Sequence, residues 1–315
     1  MTRRGIGVVQ LECAPLDVAA NAAATTQAVR TAADQGADIV VLPELAATGY
    51  VLERDELIAR AESPHAPGPV LSAWSEAARE HSVTVVGGFA EHSDGRLYNS
   101  VAVIGPDGAI AGTYRKLHLF GRERGVFTPG DLGLPIFSVE GVRLGVVVCY
   151  DLRFPEAVRI LALRGAELIA VPTAWVGGFD ASVPPPEEPR IGQVDGALVQ
   201  ANLNAVFIAC ADQVGTTEPF TFLGRSLIVD PYGRPLAGPL DARDPAVAVV
   251  TVDLDDTRAA RHRGPGISPL DDRRVDVYGE LLGYRDASAP PAPHTTAPPP
   301  ATASGVAPPD AAHPR

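Results

Sequence analysis

Three residues combine a reactive side chain with a place where chemistry can be done: Cys149, Lys116 and Glu44. Cys149 closes the apolar, β-branched run at residues 144–148, which has the composition of a buried strand. Tyr150, Asp151, Leu152 and Arg153 form a short turn after it, and Pro155 opens a helix, where its missing N–H costs nothing. A thiol between a buried strand and a helix N-terminus is expected to feel N–H groups and a dipole that favour the thiolate. Lys116 is the only lysine among 26 basic residues. Arginine supplies positive charge everywhere else, and its planar fork cannot stand in for a compact ammonium aimed at one small oxygen. Glu44 follows the strand-like run DIVVL at residues 38–42 through Pro43.

A thiol, an ammonium and a carboxylate make a coherent set. The thiol attacks a carbonyl-like carbon, and the carboxylate accepts its proton and later passes it to the leaving nitrogen. The ammonium stabilises the developing oxyanion. Taken singly, a strand cysteine reads as a small core residue, and a lone lysine as compositional drift. The case for chemistry is that three strand exits each carry one group, and in open α/β folds active groups collect at the carboxyl ends of strands. His118, two residues past the lysine in an apolar stretch, reads as a structural histidine. Cys13 and Cys210 are expected within strands and read as core.

The elements that must position these groups follow from periodicity and punctuation. Strands are expected at residues 5–11, 38–42, 83–90, 97–104, 109–115, 144–148, 167–171, 205–211, 222–230 and 246–252. Asp17 caps a long Ala-rich helix that stops at Gly36. Further helices are expected at 54–61, 70–80, 155–164, 191–203 and 255–263. Pro106, Asp107 and Gly108 make a hairpin turn. Several runs look buried on both faces, which implies a layered α/β protein with helices outside its sheets. Residues 182–189 hold four prolines and two glutamates and read as an exposed loop. Residues 1–285 read as one domain, and 286–315, rich in proline and alanine, as a disordered tail.

Composition narrows the partners. Among 315 residues, 46% apolar and 20% charged content supports a sizeable core. A net charge of −12 with no basic stripe argues against nucleic acid. Three widely spaced cysteines show neither disulfide nor metal spacing and suit a reducing compartment. The amino-terminal apolar run is cut short by Glu12, so it reads as a first strand and not a signal peptide. No run is long enough to span a membrane. A cytoplasmic protein is expected.

VVLPEL around Glu44, YRKLHLF around Lys116 and CYDLRFPE around Cys149 resemble, in order and spacing, the three signature blocks of the nitrilase superfamily, the carbon–nitrogen hydrolases. The resemblance covers residues 5–278. It implies a four-layer α-β-β-α sandwich and a Glu44–Lys116–Cys149 triad working through a thioester acyl-enzyme that water hydrolyses. It also implies no metal or organic cofactor, and a homodimer or larger homo-oligomer. ERGVFTPG, opening at Glu123, resembles the loop whose glutamate helps position the substrate nitrogen and the base. Less directly, the resemblance places the Tyr150 N–H at the oxyanion and Tyr50 and Trp175 around the substrate. Where the family usually reads RAxEN, this chain has Gln200-Ala201-Asn202-Leu203-Asn204, an altered structural pair. The YDLRF following the cysteine is similar to the amidase-type branches. The expected reaction is therefore hydrolysis of a small amide to ammonia and a carboxylic acid, with the amide and water as partners. N-carbamoyl hydrolysis and nitrile hydrolysis stay open, as does a catalytically silent binding scaffold.

Overall fold

The structure, a computed structural model, describes residues 3–177 and 192–282. The expected proline-rich loop at 182–189 and the expected tail lie outside those residues. The chain divides into two units, Met1–Asp272 and Arg273–Arg315. In chain order the first unit begins with β1 (Arg3–Gln10), α1 (Val18–Asp34), β2 (Ile39–Val41), α2 (Arg54–Ile58) and α3 (Pro69–His81). The meander β3 (Thr84–Ser93), β4 (Arg96–Ile104) and β5 (Ile110–Arg115) follows. Next come β6 (Ile136–Val139), β7 (Val142–Val146), α4 (Pro155–Leu163), β8 (Leu168–Pro172), α5 (Gly192–Asn204) and β9 (Phe207–Ala211). The short strands β10 (Thr216–Thr217), β11 (Phe220–Thr221), β12 (Leu227–Val229) and β13 (Pro235–Ala237) precede β14 (Ala246–Asp253) and α6 (Asp255–Arg261). In the second unit, α7 (Val275–Leu281) is the described helix.

Two six-stranded sheets result, in the spatial orders β14-β1-β2-β3-β4-β5 and β13-β12-β9-β8-β7-β6. Each has three parallel strands at its heart, β1–β2–β3 and β7–β8–β9, flanked by antiparallel ones. Strand alternation sorts the side chains. Ile6, Val8, Ile39, Val41 and Val86 point inward and share one core with Leu144, Val146 and Leu168 of the other sheet. Val9, Val40 and Val85 point outward and pack with α1 and α3. On the far side, Ala157, Val158 and Leu161 of α4 and Ala197 and Ala201 of α5 cover the second sheet. The layers are thus helix, sheet, sheet, helix.

The helices begin and end for local reasons. The Asp17 side chain accepts the Ala20 N–H, and α1 buries Asn21, Thr25, Ala28, Val29 and Ala32, a stripe of helical period. Pro69 and Pro155 open α3 and α4 at their first turns. Trp74 of α3, fully buried, donates its indole N–H to Thr25 Oγ1 at 2.8 Å and pins α3 on α1. One expected strand is broken: residues 222–230 give only β12, because Gly224 and Arg225 take consecutive left-handed conformations, φ 62° and 67°. The loop that opens ahead of Glu123 winds a 3-10 turn at Gly121–Gly125, and β6, β10, β11 and β13 are short strands that the pattern does not announce.

Candidate active site

Topology brings the three strand exits together. β2 and β3 run parallel, and two antiparallel steps through β4 to β5 restore the direction, so β2 and β5 end on the same edge. Glu44 follows β2 and Lys116 follows β5 directly. Cys149 comes from the other sheet, past the end of β7. Asp151 ties the two sheets' exits. Its Oδ1 accepts the His118 backbone N–H at 2.9 Å and lies 2.7 Å from His118 Nδ1, while its Oδ2 accepts from the Tyr114 hydroxyl at 2.7 Å and the Val148 N–H at 3.0 Å. His118 also stacks on Phe154, ring centroids 3.6 Å apart, so it is a structural residue, as its context suggests.

Glu44 sits on a close approach of backbone to backbone. Gly88 of β3 donates to Pro43 O at 3.2 Å and accepts from the Ala47 N–H at 3.2 Å. A Cβ on Gly88 would lie 2.5 Å from Leu45 N and 2.8 Å from Glu44 Cα, so only glycine lets the loop lie this near. Leu45 and Cys149, both at the site, hold φ of 47° and 46°, the left-handed strain that functional turns often store.

Lys116 Nζ lies 2.7 Å from Glu44 Oε1 and 2.8 Å from Glu123 Oε1, with all three side chains buried. Glu44 Oε1 also accepts from Asn99 Nδ2 at 2.7 Å. Glu44 Oε2 is buried with no hydrogen-bond partner among the described residues. Glu123, in the 3-10 turn, accepts the Tyr50 hydroxyl at 2.7 Å on Oε1 and the Phe120 N–H at 2.8 Å on Oε2. Gln213 donates to the Glu44 carbonyl at 2.8 Å.

The electrostatics follow. Burial would push the Lys116 amine down, but the carboxylates of Glu123 and Glu44 outweigh it and hold it as an ammonium. Burial lifts Glu44 above its ordinary value, only partly offset by Lys116. Burial, with the Glu44 carboxylate second, pushes the Cys149 thiol well up, against the opposing pull of Lys116 and of the Ala174 N–H. The expectation of a resting thiolate is therefore corrected. The turn Cys149–Arg153 separates the sulfur from the start of α4, and dipole effects fade within one turn.

Of the other residues singled out in the sequence, Tyr150 and Trp175 line an opening beside Cys149. Tyr50 is buried, its hydroxyl held by Glu123 and its ring edge-on to Phe220 and Phe222. Cys13 and Cys210 are buried core residues; Cys210 lies within β9, but the expected strand at Cys13 is corrected, since β1 ends at Gln10 ahead of the polar Glu12. Sequence reasoning did not find Asn99, Gln213 or Asp212. Asp212 Oδ1 accepts from Thr173 Oγ1 at 3.2 Å and the Trp175 N–H at 2.7 Å, holding the loop that carries Ala174 to the thiol. A polar residue at the mouth of an apolar strand was the only signal for each. Among the described residues no cluster of three or more His, Cys, Asp or Glu is placed to hold a metal. No helix among them is long and apolar enough to cross a membrane.

Comparison with known proteins agrees with this geometry. The family model for carbon–nitrogen hydrolases matches residues 5–262. A nitrilase of Pyrococcus abyssi is 36% identical over 277 residues, 87% of this chain and 98% of that protein. An (R)-stereoselective amidase of Pseudomonas sp. is 37% identical over 284 residues, 89% of this chain and 95% of its own. An N-carbamoylputrescine amidase of Solanum tuberosum is 32% identical, covering 88% of this chain and 94% of its own. Among solved structures, a mutant of the amidase from Nesterenkonia sp. AN1, showing the Michael addition of acrylamide at its active-site cysteine, superposes with a TM-score of 0.73. It is 27% identical, covering 89% of this chain and all of that one (100%). Three exits converging as they do, in a sandwich of this kind and over this length of match, leave one conclusion: the chain belongs to the carbon–nitrogen hydrolase family of the nitrilase superfamily and is a hydrolase of non-peptide carbon–nitrogen bonds.

Proposed function

We infer that the chain hydrolyses a small carboxylic amide through a thioester on Cys149, with Glu44 as the shuttling base, Lys116 at the oxyanion and Glu123 positioning both. The observation that carries this is the division of labour at Glu44: Oε1 is held by Lys116 and Asn99, and Oε2 is buried with no partner among the described residues. As Sγ bonds to the amide carbon, its proton passes to Oε2. The carbonyl oxygen gains negative charge against Lys116 Nζ and, by resemblance, the Tyr150 N–H. Glu44 returns the proton to the nitrogen, the C–N bond breaks and ammonia leaves. Water then attacks the thioester, giving one proton to Glu44. The C–S bond breaks, Glu44 reprotonates the sulfur, and the carboxylic acid departs. A raised Glu44 is a stronger base than a free carboxylate, and a protonated resting thiol gives it a proton to take.

Tyr50 acts through Glu123 as a positioning residue, and Trp175 and Tyr150 meet the acyl group. Residues 160, 163, 199 and 203, all apolar, are 41%, 44%, 54% and 52% exposed on the adjoining helices α4 and α5, which supports a homodimer or larger. Three free cysteines, two of them buried, fit a reducing, cytoplasmic setting. The functional reading is tested by ammonia release from primary amides, nitriles and N-carbamoyl compounds, with Cys149→Ala as control. Amide-dependent release that vanishes in Cys149→Ala is the expected result. Release surviving in that variant overturns the assignment.

A further inference from the structure

The opening beside Cys149 is lined almost wholly by carbon. Phe120, Tyr150, Leu152, Trp175 and Val176 face it, and with its open mouth it spans about 460 Å³. Phe120 and Tyr150 meet edge-on at 5.2 Å and 62°, a wall whose faces and edges suit a further ring. The first turns of α5 close one side with Gly192 and Gly196. Four apart, these lie on one face of the helix. Gly192 is the first residue of α5, but Gly196 lies inside it, where glycine is disfavoured, on the face that lines the opening beside the thiol. Among the described residues, a Cβ on Gly196 would meet nothing within 4 Å, and one on Gly192 would meet the Arg153 guanidinium at 3.8 Å. The helix therefore leaves space where any other residue would fill it. Among the described residues the charged side chain lining the opening is Arg153, which is already engaged with a partner, and no Asp or Glu lines it; a cationic or an anionic tail would lose its water and meet no free counter-charge.

We propose that this pocket takes the acyl group of the substrate, that the group is uncharged and apolar (an aromatic ring or branched aliphatic chain), and that Gly196 sets its size. This rests on the Cys149 amidase reading and adds the substrate class to it. The test is kcat/KM from ammonia release for acetamide, isobutyramide and phenylacetamide. Two charged comparators, N-carbamoylputrescine and succinamate, run alongside, with the parent enzyme and with Gly196→Ala and Gly196→Leu. Each buried methylene is worth about fourfold, so kcat/KM rises at least tenfold from acetamide to the larger neutral amides, and both charged compounds fall below them. The phenylacetamide-to-acetamide ratio drops about tenfold or more in Gly196→Leu and part of the way in Gly196→Ala. The ratio is taken within each variant, so a loss of folded enzyme cancels. A flat ladder, a preference for either charged amide, or a ratio unmoved by Gly196→Leu overturns the proposal while leaving the amidase intact. No ammonia from any amide overturns the amidase reading, and this one with it.

Discussion

Lys116→Met takes away the one cation that two buried carboxylates share. Glu44 and Glu123 each place an oxygen within 2.8 Å of the same Nζ, so without it two negative charges face each other out of water. The cheapest relief is to protonate one of them. Glu44 ordinarily titrates at 4.5. Holding it neutral at pH 7 against an unfolded chain that would ionise it costs about 1.4 kcal/mol for each of about 2.5 pH units, or about 3.5 kcal/mol. That lies within the range of about 3–5 kcal/mol for breaking a buried ion pair by removing one partner. For a domain of this size it is a fall of about 7 °C in Tm. The pH dependence gives the diagnosis. In the variant Glu44 has its folded value raised, so stability is fully present below 4.5 and is lost as pH rises towards that folded value. The parent's own Glu44 is also raised, so the two proteins lose stability together at first; the gap should open above the parent's Glu44 value and grow by up to about 1.4 kcal/mol per pH unit towards pH 7. Thermal or urea melts of both proteins at pH 5, 6 and 7 measure it. A variant as stable as the parent at pH 7, or a gap that ignores pH, refutes the shared-cation reasoning. Amide turnover by Lys116→Met should be lost at every pH.

Three other outcomes follow from the same geometry. Gly88→Ala puts a methyl 2.6 Å from Pro43 O and must push the Glu44 loop aside. Steady-state kinetics should show kcat down about a hundredfold, with a stability loss of about 1–3 kcal/mol in urea melts. Asn99→Leu removes a hydrogen bond that holds Glu44 down. The base then needs a higher pH to ionise, and the acid limb of the kcat/KM profile moves upward; a limb that stays or moves down contradicts Asn99 as the partner of the base. Burial lifts the Cys13 thiol from 9.0 to about 12. Its stabilisation is present below pH 9 and lost as pH rises towards 12, about 4 kcal/mol in all. Cys13→Ala should therefore flatten the alkaline side of the stability curve, and an equally steep fall in the variant would show that the thiol is not the titrating group.

The proposed triad was legible because each member follows a strand-like run, and strand exits are where open α/β sheets gather their chemistry. Lys116 was further marked by being the only lysine. Asn99, Gln213 and Asp212 were not legible, since each earns its role from a partner far off in the chain. Gln213, for instance, reaches the Glu44 carbonyl across 169 positions. The state of the Cys149 thiol was misjudged for a related reason. A turn before a helix is visible in the residue types, but burial and the Glu44 carboxylate, which together outweigh Lys116, appear only once the sheets face each other. The pocket was half visible: Tyr150 and Trp175 stood out as aromatics, whereas Gly192 and Gly196 matter through the side chains they lack.

The central claim is that Cys149 carries the acyl group. Rapid-quench mass spectrometry of the enzyme mixed with excess isobutyramide tests it directly. The account predicts that the peptide holding Cys149 gains the mass of the isobutyryl group within the first turnover, with one equivalent of ammonia released, and that Cys149→Ala shows neither. Steady ammonia release with no acyl group on Cys149, and with Cys149→Ala still active, would contradict it.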